Sequence, residues 1–292
     1  NGPGEIDLQA RLTRADGTAV WRYMPLVVNE ETRDWLHRSI VSGKAADARL
    51  RLRGNLANFP FRDGKDGQFL VTAKISNGRL EYAPGWPAID GIDGTLRFEG
   101  AGMLITADRG HIGSVKLGRV TAELPDLDGD DILTIKGSAA GPTNGFLAFV
   151  NSSPVGERID RFTEDITADG AGSLSLSLVM PLRDIEKTEV KGEYRFVGNA
   201  VRIGSGLPPL TDASARIAFT AERLDIADGA ARMLGEPLSL AGGSRPDGGV
   251  AIRASGGFAA AALAKAFPSP LLAHLSGRAS WQTDINVRGR SS

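Results

Sequence analysis

The chain has 292 residues, a formal net charge of -1 and no cysteine. It lacks the clustered Lys and Arg that a phosphate backbone requires, so no nucleic-acid partner is expected, and neither a disulfide framework nor a thiolate metal site is possible. Aromatics are only 6%, thin for a compact core, and no segment reaches the ~18 apolar residues of a membrane span or carries a signal peptide.

In chain order, the first predicted element is a helix. Asn29 is its N-cap, Glu30 and Glu31 fall in the first turn, Trp35, Leu36 and Ile40 form its apolar stripe, and Gly43 stops it. Strands follow. Leu50 and Leu52 alternate with Arg49, Arg51 and Arg53. Phe69, Val71, Ala73 and Ile75 alternate with Leu70, Thr72 and Lys74. Leu96 and Phe98 flank Arg97, and Leu133 and Ile135 flank Thr134. Successive strand side chains point to opposite faces, so each run makes one apolar and one polar face. Ser76-Asn77-Gly78, Asp93-Gly94 and Asp128-Gly129 read as turns between antiparallel neighbours.

The order then starts again. Asn151-Ser152-Ser153-Pro154 opens a second helical segment, with Ile159, Phe162 and Ile166 as its stripe. Leu174, Leu176 and Leu178 alternate with serines, and Tyr194 and Phe196 alternate with Glu193 and Arg195. Ile217 and Phe219 flank Ala218, and Val250 and Ile252 flank Ala251. Turns are expected at Asp228-Gly229 and at Pro246-Asp247-Gly248-Gly249. An Ala-rich helix from Phe258 to Phe267 begins a third copy, and Pro270 opens a second short helix carrying Leu271, Leu272 and Leu275.

The landmarks of the copies match. Arg49-Leu50-Arg51-Leu52-Arg53 corresponds to Ser173-Leu174-Ser175-Leu176-Ser177, Ser76-Asn77-Gly78 to Val197-Gly198-Asn199, and Leu96-Arg97-Phe98 to Ile217-Ala218-Phe219. Repeats that run straight into one another build arrays rather than enzymes with one pocket. The expected fold is mainly β: an elongated, repeat-built antiparallel sheet curled into an open apolar groove, with a short helical pair once per repeat. The alternative is a sheet folded on itself as a sandwich. Residues 1–292 read as one continuous region with approximate repeats 22–145, 146–257 and 258–292, the last truncated. With no initial Met and a third copy that stops mid-unit, the chain reads as an internal fragment of a longer protein.

Residues that suggest chemistry read as structural. Asp126, Asp128, Asp130 and Asp131 form an acidic cluster, but the Gly and Glu positions of a calcium loop are absent, and a solvated turn fits better. His37, His111 and His274 share no motif. Gly204-Ser205-Gly206 is not a nucleophile elbow. Trp86, between Pro84 and Pro87, reads as a packed turn, and the Arg49-Arg51-Arg53 row as the wet face of a strand. No enzyme, cofactor or metal is expected.

One resemblance adds to this. Arg22-Tyr23-Met24-Pro25-Leu26-Val27-Val28, then Glu31-Thr32-Arg33-Asp34-Trp35-Leu36, Phe59-Pro60-Phe61-Arg62-Asp63-Gly64 and Tyr82-Ala83-Pro84-Gly85-Trp86-Pro87 occur in that order. The string resembles the YhdP branch of the AsmA-like proteins of Gram-negative bacteria. The resemblance is best over residues 20–120 and looser through 292. It implies a periplasmic section of a long inner-membrane-anchored protein that carries phospholipid toward the outer membrane in an apolar groove, with no catalytic residues to transfer. Both membranes would be met by parts outside this chain. The expected groove lining is Leu50, Leu52, Phe69, Val71, Ile75, Leu96, Phe98, Leu133, Ile135, Leu174, Leu176, Leu178, Tyr194, Phe196, Ile217, Phe219, Val250 and Ile252. Two rivals are a scaffold or chaperone for outer-membrane proteins, acting through exposed strand edges, and a carbohydrate-handling repeat, which would need paired carboxylates on a cleft.

Overall fold

The computed structural model describes residues 2–23, 30–127, 132–204, 206–245, 249–270 and 274–287. Strands dominate. They are β1 (Glu5–Asp16), β2 (Ile40–Asn55), β3 (Gly67–Leu80), β4 (Ile89–Glu99), β5 (Gly102–Ile112), β6 (Val115–Leu124), β7 (Ile132–Pro142), β8 (Ile166–Asp169), β9 (Ala171–Pro181), β10 (Glu189–Ile203), β11 (Leu210–Thr220), β12 (Leu224–Met233), β13 (Glu236–Ser244), β14 (Val250–Ala259) and β15 (Arg278–Val287). They form one open antiparallel sheet in chain order, with β8 off the main path and paired to β10. The expectation of a mainly β, antiparallel fold therefore holds. The contacts divide the chain into two compact units, Asn1–Ala139 with Leu176–Glu189, and Ala140–Ser175 with Val190–Ser292.

Among the described residues α-helices interrupt the strands at three places, and short 3-10 turns also stand at Leu56–Asn58 and Ile185–Lys187. A 3-10 turn (Gly17–Tyr23) and α1 (Glu30–Ser39) stand between β1 and β2, α2 (Thr143–Asn151) and α3 (Pro154–Arg158) after β7, and α4 (Ala260–Ala266) after β14. In α1, Glu30 and Glu31 occupy the first turn and His37 and Arg38 the last, matching both ends of the helix dipole. Pro154 starts α3, where its missing N–H costs nothing. Among the described residues no helix is long and apolar enough to cross a membrane.

Several helix boundaries differ from expectation: Gly43 lies inside β2 rather than at the end of α1, and Phe258 and Ala259 pair with β15 as part of β14, so the Ala-rich helix starts at Ala260. Ile40 is not part of the α1 stripe. The helix ends at Ser39, whose carbonyl accepts the Glu81 N–H at 2.8 Å, and Ile40 opens β2 against Leu80. Ile159, Phe162 and Ile166 do not form a helical stripe either. Asp160 and Arg161 both adopt positive φ, 52° and 56°, which ends α3, and Ile166 begins β8. Asn29, Leu271 and Leu272 lie outside the described residues, as do the turns expected at Asp128-Gly129 and Pro246-Asp247-Gly248.

The largest correction concerns three expected turns. Asn77, Asp93-Gly94 and Asp228-Gly229 all lie inside strands, at bulges. The register of β3 on β4 shifts between Ile75 and Gly78, that of β4 on β5 between Asp93 and Gly94, and that of β12 on β13 between Ile226 and Gly229. Asn77 has φ 50° and Asp228 φ 54°. Asn and Asp tolerate this region in a bulge as readily as in a hairpin. The bulge in β3 recurs in β10, where the register shifts between Phe196 and Asn199. In each case the bulge N–H is taken up by a side chain of the next strand. Asn77 N donates to Asp93 Oδ1 at 2.7 Å, and Gly198 N donates to Ser214 Oγ at 3.1 Å. A bulge bends its strand and adds twist, so bulges on neighbouring strands bend the sheet locally in each unit.

Candidate functional site

Register decides which side chains share a face, because directly paired residues stand on the same side. In the first unit one row crosses six strands: Ala10, Leu50, Val71, Phe98, Met103 and Leu124. Beside it run Leu8–Leu52–Phe69, Ala73–Leu96–Ile105–Ala122 and Ile75–Gly94–Ala107–Val120. Leu133 and Ile135 share the side of Gly137, where a Cβ would meet the Val120 side chain, so they join this face. In the second unit an equivalent row runs Tyr194, Ile217, Ile226, Gly242, Ile252 and Ile285. Phe196, Phe219 and Val250 stand two residues along on the same side. Gly172 lies beneath Tyr194, so alternation puts Leu174 on that face, and Leu176 and Leu178 continue the pattern of β9. Leu176 and Leu178 fall in the first unit, and the other expected lining residues stand on the apolar face of their own units.

The rows also contain residues the sequence reading passed over: Leu8, Met103, Leu124, Ile226, Leu238, Leu240, Trp281 and Ile285. The signal was present for some. Ile6, Leu8, Ala10 and Leu12 alternate with polar residues through β1, and Leu238 and Leu240 flank Ser239.

These faces are only partly covered. Leu50, Val71, Phe98, Met103, Tyr194 and Ile252 are half-buried, and Leu8 is 40% exposed. The closed core is small; in the second unit it is Ala213, Ala231 and Leu238, with Phe196, Val201, Leu210, Met233, Leu240 and Trp281 packed on it.

The opposite face is ionic. In the first unit Arg51 and Arg53 both reach Asp7, Arg11 and Lys74 reach Asp47, Arg79 reaches Asp90 at 2.9 Å, Arg97 reaches Glu99 at 2.6 Å and Arg109 pairs with Asp93. In the second unit Arg195 pairs with Glu193 at 2.7 Å, Arg216 with Asp228 at 3.2 Å and Arg253 with Asp284 at 3.0 Å. Such exposed pairs contribute about 0–1 kcal/mol each. Their consequence is orientation: one side of each unit is held wet while the other is left oily. The Arg49-Arg51-Arg53 row belongs to the wet side.

Asp93 links this face to the bulges. The Asn77 N–H, and then the Arg109 guanidinium, hold its carboxyl below the usual 3.8. A depressed folded value means the stabilisation is full above the unfolded pKa and is lost as pH falls through the folded one. Asp93→Asn is therefore expected to flatten the loss of stability below about pH 4. Acid titration followed by tryptophan fluorescence reads this, and an unchanged acid limb would contradict it.

The other singled-out residues serve packing. Trp86 lies 6.1 Å from Tyr82, and Trp35 Nε1 donates to the Tyr82 carbonyl at 3.0 Å, seating α1 on the β3–β4 connection. Burial pushes the Tyr82 phenol up to about 12. His37 packs on Trp21 at 4.4 Å, His111 pairs with Asp90 in the β4–β5 ladder, and His274 lies in the other unit. Asp126 pairs with Arg62, whereas Asp128, Asp130, Asp131 and Ser205 lie outside the described residues. Among the described residues no group of three or more His, Asp or Glu is placed to hold a metal.

The model of the YhdP protein family matches residues 1–292. The chain belongs to the YhdP family. The intermembrane phospholipid transporter YhdP of Escherichia coli (strain K12) is 26% identical over 236 residues, which are 80% of this chain and 18% of that protein. The chain thus spans under a fifth of that relative's length. No solved structure matches. The family resemblance read from the sequence holds, and the similar protein is a transporter, in keeping with the expectation of a non-enzyme.

Proposed function

We propose that this chain is a section of a passive conduit that carries phospholipid between the inner and outer membranes of a Gram-negative envelope. Acyl chains lie along the apolar rows while headgroups stay in water, and no bond is made or broken. The observation that carries the reading is an uninterrupted row of apolar side chains across six paired strands, its middle four half-buried, and backed by an ionic face, in a chain of the YhdP family. The section lies in the periplasm as part of a longer inner-membrane-anchored protein, and the membranes are met by segments outside it. The repeats 22–145, 146–257 and 258–292 are part of the proposal. They are supported by the bulge at Asn77 that recurs at Gly198.

Energetics favour this use. Burying a methylene is worth about 0.8 kcal/mol, so a sixteen-carbon chain in water costs on the order of 13 kcal/mol, roughly nine decades in equilibrium constant. An open apolar row removes much of that cost and needs no headgroup pocket.

The test is lipid analysis of the purified full-length protein, with photo-crosslinking residues at Leu52 and Phe196. Co-purifying phospholipid that crosslinks at both positions is expected. Crosslinks to polypeptide, without lipid, would overturn the conduit in favour of a chaperone for outer-membrane proteins.

A further inference from the structure

On the apolar face of the second unit, three of the glycines stand beside an aromatic ring. Gly192 pairs directly with Phe219, and Gly256 with Trp281, while Gly172 lies under Tyr194. A Cβ at Gly192 would stand 2.7 Å from Cε1 of Phe219, one at Gly172 would stand 2.7 Å from Cε2 of Tyr194, and one at Gly256 would stand 3.2 Å from Cζ2 of Trp281. At Gly192 and Gly172 the ring occupies the space of the missing side chain, whereas at Gly256 the Leu238 Cβ at 2.9 Å and the Pro237 carbonyl at 3.0 Å lie nearer than the ring. Each ring leans the same way, onto the preceding strand: Tyr194 of β10 onto β9, Phe219 of β11 onto β10, Trp281 of β15 onto β14.

Neighbouring strands are about 4.8 Å apart, close to the length of a ring. A ring lying down therefore spans one strand and projects little, whereas a strand side chain normally stands perpendicular to the sheet. Covering a glycine with an aromatic stabilises a sheet, but glycine itself costs about 0.5–1 kcal/mol in a strand relative to alanine. Packing alone would be served better by alanine and an upright leucine. What this arrangement adds is clearance above the sheet.

We propose that Gly192 is a positioning residue for transport: by lacking a Cβ it lets Phe219 lie flat, so the space above the ring stays open to acyl chains, whereas Tyr194 is covered by Phe146 and Trp281 packs on the closed core. The proposal rests on the conduit reading above. Gly192→Ala lifts the Phe219 ring and is expected to lower the phospholipid carried by the full-length protein several-fold, with circular dichroism unchanged. Adding Phe219→Ala, which removes the lifted ring, is expected to restore the lipid load. A purely structural glycine would show no such rescue.

A folded Gly192→Ala protein with its full lipid load overturns the proposal, and so does a double variant that stays empty. If Gly192→Ala does not fold, Phe219→Ile replaces it: a branched side chain stands upright beside Gly192, a lowered lipid load is expected, and a full one overturns the proposal. Wild-type protein free of phospholipid would instead reject the conduit itself.

Discussion

Phe98→Asp is expected to empty the full-length protein of phospholipid and to slow phospholipid transfer between donor and acceptor vesicles by about a hundred-fold. Phe98 sits mid-row, paired with Val71 on one side and Met103 on the other. A carboxylate in a hydrocarbon environment costs about 2.5–3.5 kcal/mol, and 1.4 kcal/mol is tenfold. The matching control is Thr95→Asp. Thr95 lies on the same strand but on the ionic face, paired with Lys74, so an added carboxylate meets a cation and transfer stays at the wild-type rate. Both proteins should fold, since Phe98 is only half-buried. Equal transfer rates for the two variants would remove the apolar face from the mechanism.

Thr143→Val is expected to destabilise the protein by about 2–4 kcal/mol, because it orphans a buried donor and a half-buried one at once. The Thr143 hydroxyl accepts from Asn199 Nδ2 at 2.5 Å and from the Tyr194 hydroxyl at 2.8 Å. Asn199 has no exposed surface, and Thr143 is 7% exposed. The same threonine donates its N–H to the Gly170 carbonyl at 3.0 Å, and Asn144 accepts the Ala168 N–H at 2.8 Å. This knot ties the start of α2 to the bulge of β10, with Phe146 stacked 4.9 Å from Tyr194. Thr143→Ser keeps the acceptor and is expected to cost under about 1 kcal/mol, a missing methyl. Urea unfolding of the three proteins separates the cases. Equal losses for Val and Ser would mean that packing, not hydrogen bonding, holds the insert.

The knot also marks where sequence reading stops. Asn199 aligns with Gly78 of the first copy, and nothing in the string distinguishes a fully buried Asn from a turn residue. Asn77, Asp93 and Asp228 were equally ambiguous. The property that suits them to hairpins, tolerance of positive φ, suits them to bulges, and the choice depends on whether the flanking strand continues past them. At Ile159, Phe162 and Ile166 an apolar spacing fit a helix, but positive φ at Asp160 and Arg161 broke it. The tertiary hydrogen bonds of Ser39 and Gly204, to Glu81 and Asp165, set the ends of neighbouring elements in the same way.

The sequence alone determined the strand-rich fold, the two-faced character of each strand and which side chains are oily, because alternation is local: a residue's face follows from its neighbours two positions away. It also carried the family. Only the tertiary structure decided that Ala10, Leu50, Val71, Phe98, Met103 and Leu124 stand in one line. It likewise decided that turns were bulges and that rings lie over glycines. Register joins residues far apart in the chain through hydrogen bonds that no local pattern specifies, and a slip of one residue would have sent every one of those side chains to the wet face.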